Sequence, residues 1–136
     1  MKRTRFKQEM IKIGTWNVRS LTHKEQELCE ELENNQIQIA VITETKKKLK
    51  GTNELKNYIM LYSGVNQEER AAAGVAILIN NQIKDRIRSY KMVNSRIIVL
   101  RISVDRGYLI IIGVYAPEEG RTEESEKFYL ELQNVI

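Results

Sequence analysis

The sequence predicts an α/β domain built on a mixed sheet with helices on one face, and three observations lead to this fold class. Two apolar segments, Met10 to Trp16 and Ile37 to Thr43, have the length and composition of buried strands. Between them, Lys24 to Asn35 carries apolar residues at helical spacing. The later apolar segments are short and divided by turns, which is typical of antiparallel strands. A βαβ unit with a right-handed crossover therefore opens the sheet, and antiparallel strands follow it.

Local signals define the remaining elements. Thr22 and Glu25 have the spacing of a capping box at the start of the first helix. The segment after Glu44 is polar and rich in lysine, so it is predicted to be a loop. The turn "VDRGY" predicts a tight hairpin, and a last helix is predicted to begin near Thr122. The strands predicted in this part of the chain are Tyr58 to Ser63, Gly74 to Ile79, Ile83 to Val93, Arg96 to Val104 and Tyr108 to Tyr115.

Composition limits the class of protein. The chain has 136 residues, of which 42% are hydrophobic and 29% charged, as expected for a soluble domain with its own core. The longest apolar run, Tyr108 to Ala116, is shorter than the ~20 residues that span a bilayer. One cysteine, Cys29, excludes an internal disulfide. We therefore expect no membrane association and no secretion, and a nuclear or cytoplasmic location.

Positive charge is concentrated at the start of the chain. Four of the 22 basic residues lie within the first seven positions, so the remaining 18 equal the 18 acidic residues in number. A basic tail is typical of nucleic-acid contact or nuclear import. A solvated, disordered tail over residues 1–9 is an equally good interpretation. Residues 10–136 are then expected to form the folded part.

Asn17 and Glu44 stand at equivalent positions, because each follows the carboxyl end of one strand of the βαβ unit. Ligand sites of open α/β sheets gather at these ends. Amide and carboxylate oxygens suit Mg²⁺, which takes few protein ligands and keeps waters and phosphate oxygens. The alternative is a local turn bond for Asn17 and a solvated loop acid for Glu44. The residues alone leave both interpretations open.

Five motifs in order resemble those of the endonuclease/exonuclease/phosphatase superfamily, which has the DNase I-like fold. They are "GTWNVRSL", "VITET", "AGVAILIN", "SRIIVLRI" and "IIGVYAPEE". The resemblance is strongest to apurinic-like endonuclease domains of non-LTR retrotransposons and to craniofacial development protein 2-like sequences. It covers Ile11 to the end of the chain and implies the N-terminal half of a DNase I-like α/β sandwich, incomplete at its C-terminus.

The resemblance implies a Mg²⁺-dependent DNA endonuclease, with Mn²⁺ as an alternative ion. Glu44 matches the principal metal ligand, and Asn17 matches the asparagine that positions the metal-bound phosphate. Tyr115 matches a tyrosine that contacts the scissile phosphate. Arg96 matches, more weakly, a residue facing the DNA backbone, and Gly74 matches a structural glycine. The implied partners are the DNA phosphate backbone and, in a full-length parent, a reverse transcriptase.

Departures from the family pattern weaken the expected activity. Arg19 stands where apurinic endonucleases have an aspartate; an arginine cannot ligate a metal but can hold a phosphate. The family's "GDxN" motif and its terminal Asp-His pair are absent, since the sequence has no Gly-Asp pair and its one histidine, His23, lies beside the first helix. We therefore expect this chain to be inactive alone. A non-catalytic remnant or DNA-binding half-domain, and a branch acting on another phosphate ester, are the alternatives.

A run of lysines directly follows Glu44. Such a run predicts contacts with a nucleic-acid backbone beside the site. A solvated loop is the equally good alternative. The lysines concerned are Lys46, Lys47, Lys48 and Lys50.

Overall fold

The computed structural model describes residues 10–118 and 122–136. These residues contain two β-sheets. The elements are β1 (Ile13–Asn17), α1 (Glu25–Asn34), β2 (Ile39–Thr43), β3 (Lys50–Leu55), β4 (Tyr58–Ser63), β5 (Val75–Asn80), β6 (Ile87–Asn94), β7 (Ile97–Val104), β8 (Gly107–Val114) and α2 (Thr122–Val135). The five-stranded sheet has the order β1-β2-β5-β4-β3, and the small sheet has the order β6-β7-β8. Only β1 and β2 pair in parallel among these strands, so the larger sheet is mixed.

The small sheet covers one face of the larger sheet. Alternate side chains of β2, β4 and β5 meet those of β7 and β8 in an apolar layer, which includes Ile77 and Leu100. The opposite face of the larger sheet packs against α1 through a second apolar cluster, which includes Leu32 and Met60. β2 and β5 are therefore apolar on both faces because each face is buried. The result is an α/β sandwich in which β2 and β5 are packed on both faces.

α1 is positioned by its apolar side and by the chain that follows it. Cys29 and Leu32 are buried against the sheet. The helix ends at Asn35, whose Nδ2 donates to the Glu31 carbonyl at 2.8 Å. Gln36 then takes a left-handed conformation, and the chain turns into β2. This compact crossover brings the carboxyl ends of β1 and β2 together.

Most of the predicted elements are confirmed, with ends that differ by a few residues. The βαβ unit, β4 and the final helix are found where the sequence predicted them. The predicted hairpin turn joins Val104 to Gly107, which takes a φ of +148°. Trp16 packs against the core cluster beside α1, and Cys29 is buried. The predicted basic tail lies outside the described residues.

Three expectations about the fold were wrong. Thr22 does not cap α1, because it bonds with Ser20 instead, and Lys24 occupies the N-cap without a side-chain bond that caps the helix. The loop predicted after Glu44 contains β3, a polar edge strand that ladder bonds to β4 hold in place. The strand predicted from Ile83 begins as a 3₁₀ turn and is extended only from Ile87. Among the later strands, β4 and β5 extend the first sheet, whereas β6, β7 and β8 form the second sheet of the predicted sandwich.

Candidate active site

Asn17 and Glu44 lie together at the carboxyl end of the parallel pair. Asn17 is opposite Thr43 in the ladder, and Glu44 is the next residue. The pairing continues past the strands, since the Val18 N–H donates to the Thr43 carbonyl at 3.1 Å. Asn17, Thr15 and Ile13 share the face that looks toward the small sheet, because their ladder partners lie on that face. The two strands thus place Asn17 and Glu44 at the same end of the sheet.

Glu44 is held in a left-handed conformation, with a φ of +58°, by the loop that follows it. Thr45 is 1% exposed, and its N–H donates to the Gly74 carbonyl at 3.2 Å. The Lys46 N–H donates to the Ala73 carbonyl at 2.8 Å. Left-handed backbone costs a residue with a side chain about 1–2 kcal/mol, so these bonds and the packing of Thr45 must offset that cost. Glu44 is therefore placed by a rigid turn.

Gly74 lets that turn approach the sheet. It has a φ of +92°, and a Cβ built on it would lie 2.3 Å from Thr45 Oγ1. Its N–H donates to the Ser95 carbonyl at 3.1 Å, so the same residue contacts the turn between β6 and β7. Gly64 has a comparable position on the other side, where a Cβ would lie 1.7 Å from the Lys47 carbonyl oxygen. Two glycines thus allow the Glu44 turn to fit, and the structural role predicted for Gly74 agrees with these contacts.

Tyr115 reaches Glu44 from the small sheet. It follows β8 directly, and its N–H donates to the Arg96 carbonyl at 2.9 Å. Its pKa is raised, first by burial and then by the nearby Glu44 carboxylate, while the Arg96 guanidinium opposes the rise. Hydrogen bonding with Glu44 adds to the rise as a smaller cause. The hydroxyl of Tyr115 and the carboxylate of Glu44 therefore lie close to each other.

Arg96 contacts protein groups around Tyr115. One guanidinium nitrogen donates to the Tyr115 carbonyl at 3.0 Å, and the other pairs with Glu124 of α2 at 2.8 Å. The guanidinium carbon also lies 5.2 Å from the centre of the Tyr115 ring. The turn that presents Arg96 is fixed by Asn94, whose Oδ1 accepts from the Arg96 N–H at 2.8 Å. Arg96 thus joins β7, β8 and α2 beside the site.

Asn17 makes the local turn bond that the residues alone allowed. Its Oδ1 accepts from the Arg19 N–H at 3.1 Å, and Arg19 takes a φ of +58°. Because a backbone N–H can only donate, this bond fixes which end of the amide is the oxygen. Among the described residues the Nδ2 group has no acceptor within hydrogen-bond distance. Both Asn17 and the Arg19 side chain are exposed and accessible to a ligand.

The four predicted lysines do not share one surface. Lys47 lies 3.6 Å from the Glu25 carboxylate and over the Tyr62 ring. Lys48 donates to the Gln67 carbonyl, and Lys50 donates to the Val93 carbonyl. Lys46 is exposed and has no polar partner among the residues that the structure describes. Of this group, Lys46 is next to Glu44 and the most available to an anionic ligand.

Comparison with solved structures identifies the fold. The catalytic domain of APE2 from Xenopus laevis superimposes with a TM-score of 0.69 and 17% sequence identity, over 90% of this chain. The 3'-5' exonuclease NExo from Neisseria meningitidis gives a TM-score of 0.65 and 20% identity, over 91% of this chain. The chain has the DNase I-like fold. It spans 52% and 50% of the lengths of these two structures.

Sequence similarity agrees with this DNase I-like fold. Craniofacial development protein 2 from Bos taurus is 33% identical over 129 residues, which is 91% of this chain but 21% of the relative. The same protein from Tragulus javanicus is 32% identical over 130 residues. A NExo structure, described as a 3' phosphatase bound to product DNA hairpin, superimposes with a TM-score of 0.65 and 20% identity over 92% of this chain. No protein-family model matches the chain.

Sequence reasoning missed three residues that shape this site. Thr45 and Gly64 hold the Glu44 turn, and Glu124 holds Arg96 from α2. In the sequence, a threonine directly follows the predicted ligand Glu44, and this signal could have suggested a structural role for Thr45. Gly64 precedes a valine as Gly74 does, which is a weaker signal. The pairing of Arg96 with Glu124 has no local signal, because 28 residues separate them.

The donor set of this site fits a hard divalent cation that keeps few protein ligands. Glu44 supplies a carboxylate, and Asn17 Oδ1 retains a second lone pair beside it. Groups of three or more His, Cys, Asp or Glu residues able to hold a metal do not occur in the part of the chain that the structure describes. The described residues therefore form no metal cage of three or more such side chains. A site with few protein ligands suits Mg²⁺, because water and phosphate oxygens fill its remaining coordination positions. Within the same residues, no helix is both long and apolar enough to span a bilayer.

Proposed function

We propose that this chain supplies the metal- and phosphate-binding part of a Mg²⁺-dependent phosphodiesterase domain that acts on DNA. The observation that carries the proposal is the meeting of Glu44 and Tyr115, from different sheets, at the carboxyl end where Asn17 also lies. Ligand sites of α/β sheets gather at such ends. The similar structures include a 3'-5' exonuclease and an enzyme bound to a product DNA hairpin, which supports DNA as the substrate.

Each residue has a definite task in this proposal. Glu44 would hold the Mg²⁺ ion, which, when bound, neutralises charge on the phosphate. Asn17 Nδ2 donates to a phosphate oxygen, and its Oδ1, which accepts from the Arg19 N–H, keeps a second lone pair for the metal ion. The Tyr115 hydroxyl donates to the same phosphate, since its raised pKa keeps it protonated near neutral pH. Arg19 and Lys46 add charge along the DNA backbone.

The residues of this chain do not supply a general base for attack by water. The "GDxN" and Asp-His motifs of the resembling family are absent from the sequence. Hydrolysis needs activation of the water in addition to a cation and phosphate contacts. We therefore propose binding without measurable turnover for the chain alone. A retrotransposon parent, a reverse transcriptase partner and a nuclear or cytoplasmic location stay predictions.

A metal titration tests the central assignment. Amide and side-chain NMR signals of the chain would be followed during addition of Mg²⁺, with Mn²⁺ as a paramagnetic probe. We expect changes centred on Glu44, Asn17 and Tyr115, and their loss in Glu44→Gln. Glu54→Gln, which removes an acid from the edge strand β3, is the control and should titrate like wild type. Equal titration of both variants would contradict Glu44 as the metal ligand.

DNA binding and cleavage are measured separately from metal binding. Fluorescence titration with duplex DNA should give weak binding that falls with added salt, because phosphate contacts release counterions. Supercoiled plasmid should stay intact with Mg²⁺. Nicking that disappears in Glu44→Ala would contradict the proposed lack of turnover. A duplex with a 3'-phosphate, motivated by the phosphatase description of NExo, distinguishes phosphomonoester hydrolysis as the second candidate.

A further inference from the structure

The outward face of the small sheet is lined by exposed basic, aromatic and aliphatic side chains. Leu100 of β7 is buried in the layer between the sheets, so the next residue, Arg101, points away from the larger sheet. The ladder places Ser89 of β6 and Ile110 of β8 on either side of Arg101. Because side chains alternate along a strand, residues two positions from these lie on the same face. The surface that we call the basic face comprises Ser89, Lys91, Arg101, Tyr108 and Ile110.

α2 leaves part of this outward face uncovered. Arg96, which bonds to Glu124 of α2, lies at the end of the small sheet next to Tyr115. The basic face lies farther along β7 and β8, toward the hairpin that joins them. All five of its residues are exposed, with Tyr108 at 56% and Ile110 at 60%. The basic face is therefore open to solvent and separate from the candidate active site.

Charge differs between the two sides of the sandwich. β6, β7 and β8 carry three basic residues, Arg88, Lys91 and Arg101, and no acidic residue. α1, which packs on the opposite side of the larger sheet, carries five glutamates and no basic residue. Such a distribution attracts a polyanion toward the small sheet and repels it from α1.

Two cations of the basic face can pair with a ligand. Lys91 and Arg101 form no ion pair with the other residues that the structure describes. Glu131 of α2 lines a groove with Lys91, but its carboxylate already accepts from Asn94. The guanidinium carbon of Arg101 lies 3.7 Å from the centre of the Tyr108 ring. Stacking of this kind leaves the N–H groups at the edge of the guanidinium free to donate to phosphate.

Cations beside an exposed ring suit single-stranded nucleic acid, since phosphates pair with the charges and bases stack on the ring. A duplex could use only the charges, because its bases are stacked inside. We propose that the basic face binds a single-stranded polynucleotide, either RNA or DNA. Lys91 and Arg101 pair with its phosphates. Tyr108 and Ile110 pack against its bases. This binding is independent of the proposed function, because the surface needs no metal and lies apart from Glu44.

Binding of short oligonucleotides in EDTA tests the basic face without metal-dependent contacts at Glu44. The probes are fluorescein-labelled oligothymidylate and oligouridylate of about 12 nucleotides. We expect them to bind more tightly than a hairpin duplex with the same number of phosphates, and to bind less tightly as salt is added. Tyr108→Ala should weaken binding about 10-fold, because a stacked base is lost. Arg101→Ala should reduce the slope of log affinity against log salt concentration by about 0.7, as one phosphate contact is lost.

Matched variants on other surfaces are the controls. Lys56→Ala removes an exposed cation from the turn between β3 and β4. Tyr90→Ala removes a 47% exposed ring of β6, whose ladder partner Leu100 faces the larger sheet. Both variants should bind the oligonucleotides like wild type. Amide NMR shifts caused by oligouridylate should be centred on β7 and β8.

Several outcomes would overturn the assignment of the basic face. These are failure of both oligonucleotides to bind, preference for the duplex, or equal effects of Arg101→Ala and Lys56→Ala. Shifts centred on Asn17 and Glu44 would place the binding in the candidate active site instead. Equal competition by polyglutamate of the same charge would indicate an acidic peptide as the partner, which also contradicts the assignment. Binding of one oligonucleotide alone would support it and identify the ligand as RNA or as DNA.

Discussion

Replacing Gly74 with alanine tests how the Glu44 turn is built. The added methyl group would lie 2.3 Å from Thr45 Oγ1 and 3.2 Å from the Lys46 nitrogen, at a backbone φ of +92°. The left-handed conformation costs alanine about 1–2 kcal/mol. Displacing Thr45 weakens hydrogen bonds worth about 1 kcal/mol each. We expect Gly74→Ala to lower the free energy of unfolding by about 3 kcal/mol.

Gly107→Ala is the matched control for this experiment. Gly107 also has a positive φ, +148°, but a Cβ there would have no atom within 4 Å. The control therefore measures the backbone cost without the collision and should lose about 1–2 kcal/mol. Urea unfolding at constant pH gives both values, and thermal unfolding should show a decrease of roughly 10 °C for Gly74→Ala.

The site gives a second readout for the same variant. Gly74 contacts both Thr45 and the turn at Ser95, so the collision should move Glu44 and Tyr115 relative to each other. NMR signals of these two residues should shift in Gly74→Ala and stay unchanged in Gly107→Ala. Equal loss of stability in both variants, with no shift at Glu44, would refute the idea that Gly74 holds the turn.

Two further predictions concern residues on either side of the larger sheet. Arg96→Met removes the bonds to the Tyr115 carbonyl and to Glu124 of α2. Hydrogen exchange in α2 should therefore become faster by about 10-fold. Arg96→Lys keeps the positive charge and should restore part of the protection. Cys29 has a pKa raised to about 11 by burial and by neighbouring glutamates, so its thiol stabilises the fold only while protonated. Because the unfolded thiol ionises first, stability should fall by roughly 2–3 kcal/mol between pH 9 and pH 11. This fall, measured by urea unfolding, should be smaller in Cys29→Ala.

Elements with strong local patterns could be predicted from the sequence. β2 and β4 are dense apolar runs, and the hairpin at Gly107 has turn residues at the right spacing. β3 was missed because "KGTNEL" has little apolar alternation, and hydrogen bonds from β4 hold it at the edge. The division into two sheets also had no local signal, since apolar strands in either arrangement carry the same side chains.

The site was predictable to the extent that it depends on strand ends. Asn17 and Glu44 could be placed together because parallel strands deliver their carboxyl ends to one edge. Tyr115 was predicted as a site residue from the resemblance to the endonuclease/exonuclease/phosphatase superfamily and not from the strand pattern. The partners of Arg96 and the separate directions of the lysines depend on long-range contacts, such as the pair with Glu124 in α2. Such contacts cannot be read from spacing along the chain.

The turn bond of Asn17 and its proposed contact with phosphate can be separated by substitution. Asn17→Asp keeps an oxygen acceptor for the Arg19 N–H, because aspartate forms the same side-chain turn. It removes the Nδ2 donors and places negative charge near the phosphate. Asn17→Ala removes both the acceptor and the donors, and should lose about 1 kcal/mol of stability.

Stability and DNA affinity should therefore respond differently in these two variants. Asn17→Asp should unfold like wild type yet bind duplex DNA more weakly, and Asn17→Ala should be weaker in both measurements. Because Asn17→Ala adds no charge, its loss of affinity cannot come from repulsion of the phosphate. Wild-type affinity in Asn17→Ala, measured where the variant is fully folded, would mean that Asn17 serves the turn alone. Both variants could lose affinity for DNA while only Asn17→Ala loses stability. That result would mean that the bond to Oδ1 orients the amide so that its Nδ2 group binds phosphate.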